Sequence, residues 1–234
     1  MSASKPAALF DSPSRLLVKV CGLTRQQDAD ACAEAGVDLC GFIFHPASPR
    51  AVTPAVAAGL HSHGMARVGV FVKQSADEVL AIMDAARLDF AQLHGGQDAA
   101  FCDRVGAERV IRVAWPQRHV DASGLNAGAG LASLHAELAG LAPHVRCFLL
   151  DAGTSGGGHG ATMDWAALRG LAPGAPWLLA GGLTPDNVAS AVAACGGHDP
   201  AMLIGVDLNS GVESAPGRKD APRVAAALAA LRTA

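Results

Sequence analysis

Aromatic residues are scarce in this chain: Phe, Trp and Tyr together make up 4% of its 234 residues, and Tyr is missing altogether. Half the residues are nonetheless hydrophobic, so the core must be packed mainly from Ala, Leu and Val. Basic charge is not in excess either. The formal net charge is −3, which argues against a nucleic-acid binder with its usual basic face. No apolar run approaches the roughly 18 residues of a membrane span, so no membrane partner is expected. Residues 1–14 (MSASKPAALFDSPS) lack the apolar stretch and cleavage pattern of a signal peptide. The six cysteines, Cys21, Cys32, Cys40, Cys102, Cys147 and Cys195, show no C-x-x-C or C-x-x-H spacing. A disulfide framework is not expected in a chain of this size, and the thiols point to a reducing, cytoplasmic setting. His45, His94 and His159 have no tight ligand spacing, so no metal site is supported. The 27 Gly and 13 Pro are scattered between apolar runs rather than gathered into a linker, which excludes a disordered chain.

What is present is an alternation of short apolar runs with longer Ala-rich segments. Strands are expected at residues 16–20, 39–44, 67–72, 90–93, 110–114, 147–150, 177–180 and 203–206. Helices are expected between them: from an N-cap at Thr24 to Gly36, from Pro54 to His63 behind Thr53, and over 75–86 with Ser75 and Glu78 as a capping box. Further helices are expected over 97–105, 131–141 and 165–171, from Pro185 to Ala194 behind Thr184, and over 222–231. Eight strand–helix repeats predict a closed parallel (βα)8 barrel, one domain over residues 15–234, with residues 1–14 as a flexible extension. An open doubly wound sheet is the alternative, but it needs fewer strands, and no G-x-G-x-x-G follows the first one.

A barrel of this kind places its site at the carboxyl ends of the strands, and here those ends are polar or glycine-rich. Strand one runs into Lys19-Val20-Cys21-Gly22, strand two into His45 and Arg50, and strand four into Gln92-Leu93-His94-Gly95. Strand six ends at Asp151, strand seven at Gly181-Gly182, and strand eight at Asp207 followed by Asn209-Ser210-Gly211. Desolvation raises the pKa of a carboxylate toward the range of a general acid, which suits Asp151; a loop or capping aspartate is the bland alternative. Cys21 beside Lys19 suits a cation-stabilised thiolate, or else a small buried hydrophobe. Arg50 suits a bidentate carboxylate contact, or else a surface position. The glycines at 156–158 and 160, with Gly181, Gly182 and Gly211, let backbone N–H groups approach an anion. Loops after strands seven and eight recur as a phosphate site in this architecture.

Taken in order, VKVCGLT (18–24), GFIFHPASPRAV (41–52), VGVFV (68–72), QLHG (92–95), LLD (149–151), SGGGHGATMDW (155–165), LAGGLTPDNV (179–188) and GVDLNSGVE (205–213) resemble the phosphoribosylanthranilate isomerase family. The resemblance covers residues 16–232. It implies an Amadori rearrangement of N-(5-phosphoribosyl)anthranilate to 1-(2-carboxyphenylamino)-1-deoxyribulose 5-phosphate, the third step from chorismate in tryptophan biosynthesis, without metal or organic cofactor. It further implies Cys21 as general base, Asp151 as general acid and Arg50 on the anthranilate carboxylate. Asp207 would meet the substrate's amino group or sugar hydroxyls, with Gln92 and His94 as further substrate contacts. Phosphate would lie on the backbone around Gly157, Gly158, Gly181, Gly182, Ser210 and Gly211.

Rival readings are a metal-dependent phosphosugar epimerase, whose His and Asp set is missing, an isomerase of the histidine-pathway aminoaldose, indole-glycerol-phosphate synthase, and a non-catalytic phosphate binder, which would not require Cys21 and Asp151 together. A monomer is expected, with a homodimer left open.

Overall fold

The computed structural model describes residues 7–11, 13–119, 129–151, 165–169, 171–199 and 202–232. Its strands β1 (Leu17–Val20), β2 (Leu39–Ile43), β3 (Ala66–Phe71), β4 (Phe90–Leu93), β5 (Val110–Ala114), β6 (Cys147–Asp151), β7 (Trp177–Ala180) and β8 (Leu203–Leu208) form one closed parallel barrel. Closure comes from β1 lying on β8 in the register Lys19–Asp207. Helices α1 (Gln26–Ala35), α2 (Pro54–Gly59), α3 (Ala76–Ala85), α4 (Ala99–Val105), α5 (Ala129–Leu141), α6 (Val188–Ala194) and α7 (Ala221–Arg232) surround it. This is the (βα)8 architecture that the repeat predicts.

Two shells of apolar packing hold it together. Leu17, Leu39, Val68, Phe90, Ile111, Leu149 and Leu178 fill the inside of the barrel, while Val18, Cys40, Phe71 and Leu179 on the opposite strand face pack under the helices. Burial on both faces is why the strands read as continuous apolar runs. The inner layer is closed by a residue from the expected extension: Ala7–Phe10 forms a 3-10 turn, and the Phe10 ring is 2% exposed and meets Phe90 edge-on at 5.0 Å. Residues 7–10 therefore pack on the barrel, and burying that ring stabilises the fold by about 1.5–3 kcal/mol.

Local chemistry sets most helix starts. Ser75 and Glu78 form the expected reciprocal box ahead of α3, and the Thr53 hydroxyl accepts from Val56 ahead of α2. Several expected starts and ends move, among them the end of α2, which stops at Gly59 rather than His63. Thr24 does not cap α1, because its hydroxyl donates to the Gly217 carbonyl at 2.7 Å, and the cap position falls to Arg25. Asn187 rather than Thr184 precedes α6; its Oδ1 accepts from the Thr184 amide at 2.8 Å, so the turn at 184–187 is closed by a side chain instead of a helix. The expected helix over 165–171 is a 3-10 turn, Trp165–Leu168. After β8 the chain makes an unanticipated hairpin, β9 (Glu213–Ala215) and β10 (Arg218–Lys219), before α7.

Candidate active site

Side chains alternate along a strand, so Leu17, Lys19 and Cys21 climb one inner face of the barrel. Leu17 belongs to the apolar plug; Lys19 has no exposed surface and Cys21 is 4% exposed. Burying an ammonium demands a partner, and closure of the barrel supplies one: Lys19 Nζ donates to both oxygens of Asp207 at 2.9 Å. Burial pulls the Lys19 ammonium down, but Asp207 and Cys21 outweigh it, and the group stays above its ordinary range. Burial pushes the Cys21 thiol up, against the opposing pull of Lys19 and, more weakly, Lys219. Room for the pair comes from β2. A Cβ on Gly41 would lie 3.0 Å from both Cα and Sγ of Cys21 and 3.2 Å from Lys19 Nζ.

Asp151 ends β6 and is 6% exposed. Its Oδ2 lies 3.9 Å from Nε2 of His94, which follows β4. Burial pushes the His94 imidazole down to about 4, so it is neutral at pH 7 and does not hold Asp151 as an ion pair. Among the described residues neither ring nitrogen of His94 has a hydrogen-bond partner, and neither does Oε1 of Gln92 one layer below. Such unsatisfied buried groups cost about 1–3 kcal/mol each and are unusual away from function. The Trp115 ring meets His94 edge-on at 5.2 Å and is capped by Arg118 at 3.7 Å.

Arg50 sits in the turn after β2, where its amide donates to the Ser48 hydroxyl at 3.2 Å. Its aliphatic stem passes over Gly22, whose φ of +77° and missing Cβ both matter, since a Cβ there would be 2.8 Å from Arg50 Cδ. Nε and Nη2 of Arg50 grip Glu213 at 2.9 and 2.7 Å. Glu213 also accepts from Lys219 Nζ at 2.8 Å, and that ammonium reaches the carbonyl and side-chain oxygens of Asn209 at 3.2 and 3.1 Å. Despite burial, these two cations hold the Glu213 carboxyl below its usual range.

The loops after β7 and β8 meet. Gly181 and Gly182 have φ of +95° and +64°, the left-handed region that favours glycine. The Gly182 carbonyl is fixed by Asn187 at 3.0 Å. Ser210 and Gly211 lie in a 3-10 turn, and a Cβ on Gly211 would collide with the Leu183 carbonyl at 1.9 Å. Gly157 and Gly158 lie outside the described residues.

The fold thus brings Cys21, Arg50, Gln92, His94, Asp151 and Asp207 to one end of the barrel. Lys19 stood in the sequence as a neighbour of Cys21 and as the one candidate for the lysine acid that the indole-glycerol-phosphate synthase reading requires. Gly41, Glu213 and Lys219 were not anticipated, because nothing in the local pattern around 213–219 points to a residue 163 positions away. Among the described residues, no cluster of three His, Cys, Asp or Glu is placed to hold a metal ion.

Comparison with known proteins agrees with this fold. The family model of N-(5'-phosphoribosyl)anthranilate (PRA) isomerase matches residues 18–230. An N-(5'-phosphoribosyl)anthranilate isomerase of Desulfovibrio desulfuricans is 53% identical over 214 residues, 92% of this chain and 94% of that one. A phosphoribosyl anthranilate isomerase solved with reduced 1-(o-carboxyphenylamino)-1-deoxyribulose 5-phosphate superposes with a TM-score of 0.71 at 28% identity, covering 94% of this chain and 100% of the other. Monomers generated from the dimeric isomerase of Thermotoga maritima give 0.71 at 27% identity, with the same coverage.

Proposed function

This chain belongs to the N-(5'-phosphoribosyl)anthranilate isomerase family, and from that premise we propose that Cys21 and Asp151 are the base and acid of its reaction. The enzyme isomerises N-(5-phosphoribosyl)anthranilate to 1-(2-carboxyphenylamino)-1-deoxyribulose 5-phosphate, an Amadori rearrangement of tryptophan biosynthesis. The observation that carries the residue assignment is the placing of Cys21 and Asp151 at the same barrel mouth, one beside a buried ammonium and the other beside a neutral imidazole.

Asp151 gives its proton to the ribose ring oxygen as the C1′–O bond breaks, leaving a protonated Schiff base. Cys21 then takes the proton from C2′, and the resulting enolamine tautomerises to the ketone. Burial keeps the thiol neutral before substrate arrives. The cationic Schiff base, one bond from C2′, adds a positive charge to that of Lys19 and draws the thiol toward its ionised form when the base is needed. Asp207 holds Lys19 in place and meets the substrate's amino group or sugar hydroxyls with the lone pairs that Lys19 leaves open. Gln92 and His94 offer their unsatisfied groups to the ribose, and Arg50 takes the anthranilate carboxylate. The amides near Gly181, Gly182, Ser210 and Gly211, with Gly157 and Gly158, take the phosphate. Held at both ends, the substrate is stretched across acid and base.

The test is loss of the fluorescence of freshly generated phosphoribosylanthranilate, in EDTA, for the wild type, Cys21→Ala and Asp151→Asn. The variants should be slower by at least about a hundredfold; wild-type turnover in either one removes that residue from its role. We further read the protein as one catalytic domain over residues 15–234, with the turn at 7–10 packed onto it, working as a monomer in the cytoplasm. Val56, at 44%, is the lone exposed large hydrophobic among the described residues, and all six cysteines are unpaired and buried. Sedimentation tests the monomer against a dimer like that of the Thermotoga enzyme.

A further inference from the structure

We propose that Glu213 is a positioning residue for the anthranilate carboxylate, setting the enzyme's preference for a carboxylated aniline by fixing the aim of Arg50. This rests on the reading of Arg50 as the carboxylate contact.

A guanidinium has five donors in a planar fork. Glu213 occupies the Nε–Nη2 edge, with contacts of 2.9, 3.1 and 2.7 Å. The Nη1–Nη2 edge remains, and it has the same bidentate match to a carboxylate. An arginine held by one edge presents the other in a single orientation, so a second carboxylate is met without freezing the side chain on arrival.

Glu213 can do this because it is itself held on all sides. Lys219 Nζ at 2.8 Å and the Gly217 amide at 3.2 Å lie on Oε1. The three protons of Lys219 are matched by Glu213 and the two oxygens of Asn209. The Arg223 guanidinium donates to the Glu213 carbonyl at 2.8 Å, and the hairpin tip is tied to the loop after β1 through Thr24 and Gly217. The hairpin β9–β10 therefore locks the loops after β1, β2 and β8 together. Charge points the same way. Arg50, Lys219 and Glu213 sum to one positive charge in a site where the three side chains are 11%, 1% and 4% exposed. One incoming carboxylate neutralises the cluster, whereas an uncharged aniline leaves its excess charge desolvated.

The experiment compares kcat/KM for phosphoribosylanthranilate and for its carboxylate-free analogue, N-(5-phosphoribosyl)aniline, with product followed by chromatography. Wild type, Arg50→Met, Glu213→Gln and Glu213→Asp are measured. Arg50→Met should lose far more on the carboxylated substrate than on the analogue. Glu213→Gln should show the same selective loss, at least about tenfold greater on the carboxylated substrate and seated in KM. Glu213→Asp, which keeps the charge but draws it back by one methylene, should fall between wild type and Glu213→Gln. Equal losses on both substrates for Glu213→Gln, with Arg50→Met still selective, would overturn the role of Glu213 alone. A lower KM for phosphoribosylanthranilate would overturn it too, by showing that Glu213 competes for Arg50. Equal losses for Arg50→Met would refute the Arg50 reading and take the proposal with it. Should Glu213→Gln fail to fold, the substrate ratio of Glu213→Asp decides, and an unaltered ratio counts against the proposal.

Discussion

Replacing Lys19 with Met keeps the length of the side chain and deletes one buried charge, so its consequences can be worked out group by group. Asp207 loses both of its 2.9 Å bonds while its side chain stays only 8% exposed. Breaking a buried pair from one side costs about 3–5 kcal/mol, and at roughly 2–4 °C per kcal/mol for a domain of this size Tm should drop by roughly 6–20 °C. Lys19→Met/Asp207→Asn, which removes both charges, should recover most of that loss. Burial already pushes the Asp207 carboxyl up, and loss of Lys19 pushes it further. A carboxyl whose folded pKa lies above its unfolded value costs stability as pH rises through the folded pKa, so the Lys19→Met penalty should be larger at pH 8 than at pH 5.5. Activity reports the other partner. The ammonium opposes the upward push of burial on Cys21; without it the thiol ionises at higher pH. The limb on which kcat/KM rises with pH should therefore move upward, with a loss of about a hundredfold near neutrality. Thermal unfolding at pH 5.5 and 8 and fluorescence-detected turnover between pH 6 and 9.5 measure the two effects. A Lys19→Met enzyme with wild-type Tm and an unmoved limb would refute this account of the inner face, and a double variant no more stable than Lys19→Met would refute its stability half.

Gly41→Ala should place a methyl 3.0 Å from Cys21 Sγ, shifting the thiol by a few tenths of an ångström. Turnover should fall by about tenfold with stability lowered by about 1–3 kcal/mol, and an unchanged kcat would show that Sγ tolerates displacement. Phe10→Ala should destabilise the barrel by about 3 kcal/mol in urea and leave KM alone, because the ring plugs the end opposite the site; a KM change would mean the plug is felt at the mouth. The proposed mechanism, in which bound Schiff base lowers the thiol, requires the limb of kcat to lie at lower pH than that of kcat/KM; coincident limbs would argue that the thiolate exists before substrate binds.

Much of this molecule was legible in one dimension. Strands β4, β5 and β7 match their expected bounds, because a doubly buried strand must be an unbroken apolar run with turn residues at its ends. Cys21, Asp151 and Arg50 were legible for a related reason: each interrupts or follows such a run where the architecture opens to solvent. The Thr24 and Thr184 caps failed where a local preference met a tertiary competitor, a carbonyl from the far hairpin in one case and the Asn187 side chain in the other.

Periodicity and apolar runs, which act between near neighbours, therefore set the repeat and place the polar residues within one or two positions of each strand end. How those ends are charged and aimed follows from the fold. Lys19 and Asp207 are separated by 188 positions, and Arg50 and Glu213 by 163. Neither pair leaves a trace in local pattern, because what joins them is closure of the barrel of β1 on β8 and the return of the chain over its mouth. Burial in that closed space makes each charge depend on its partner.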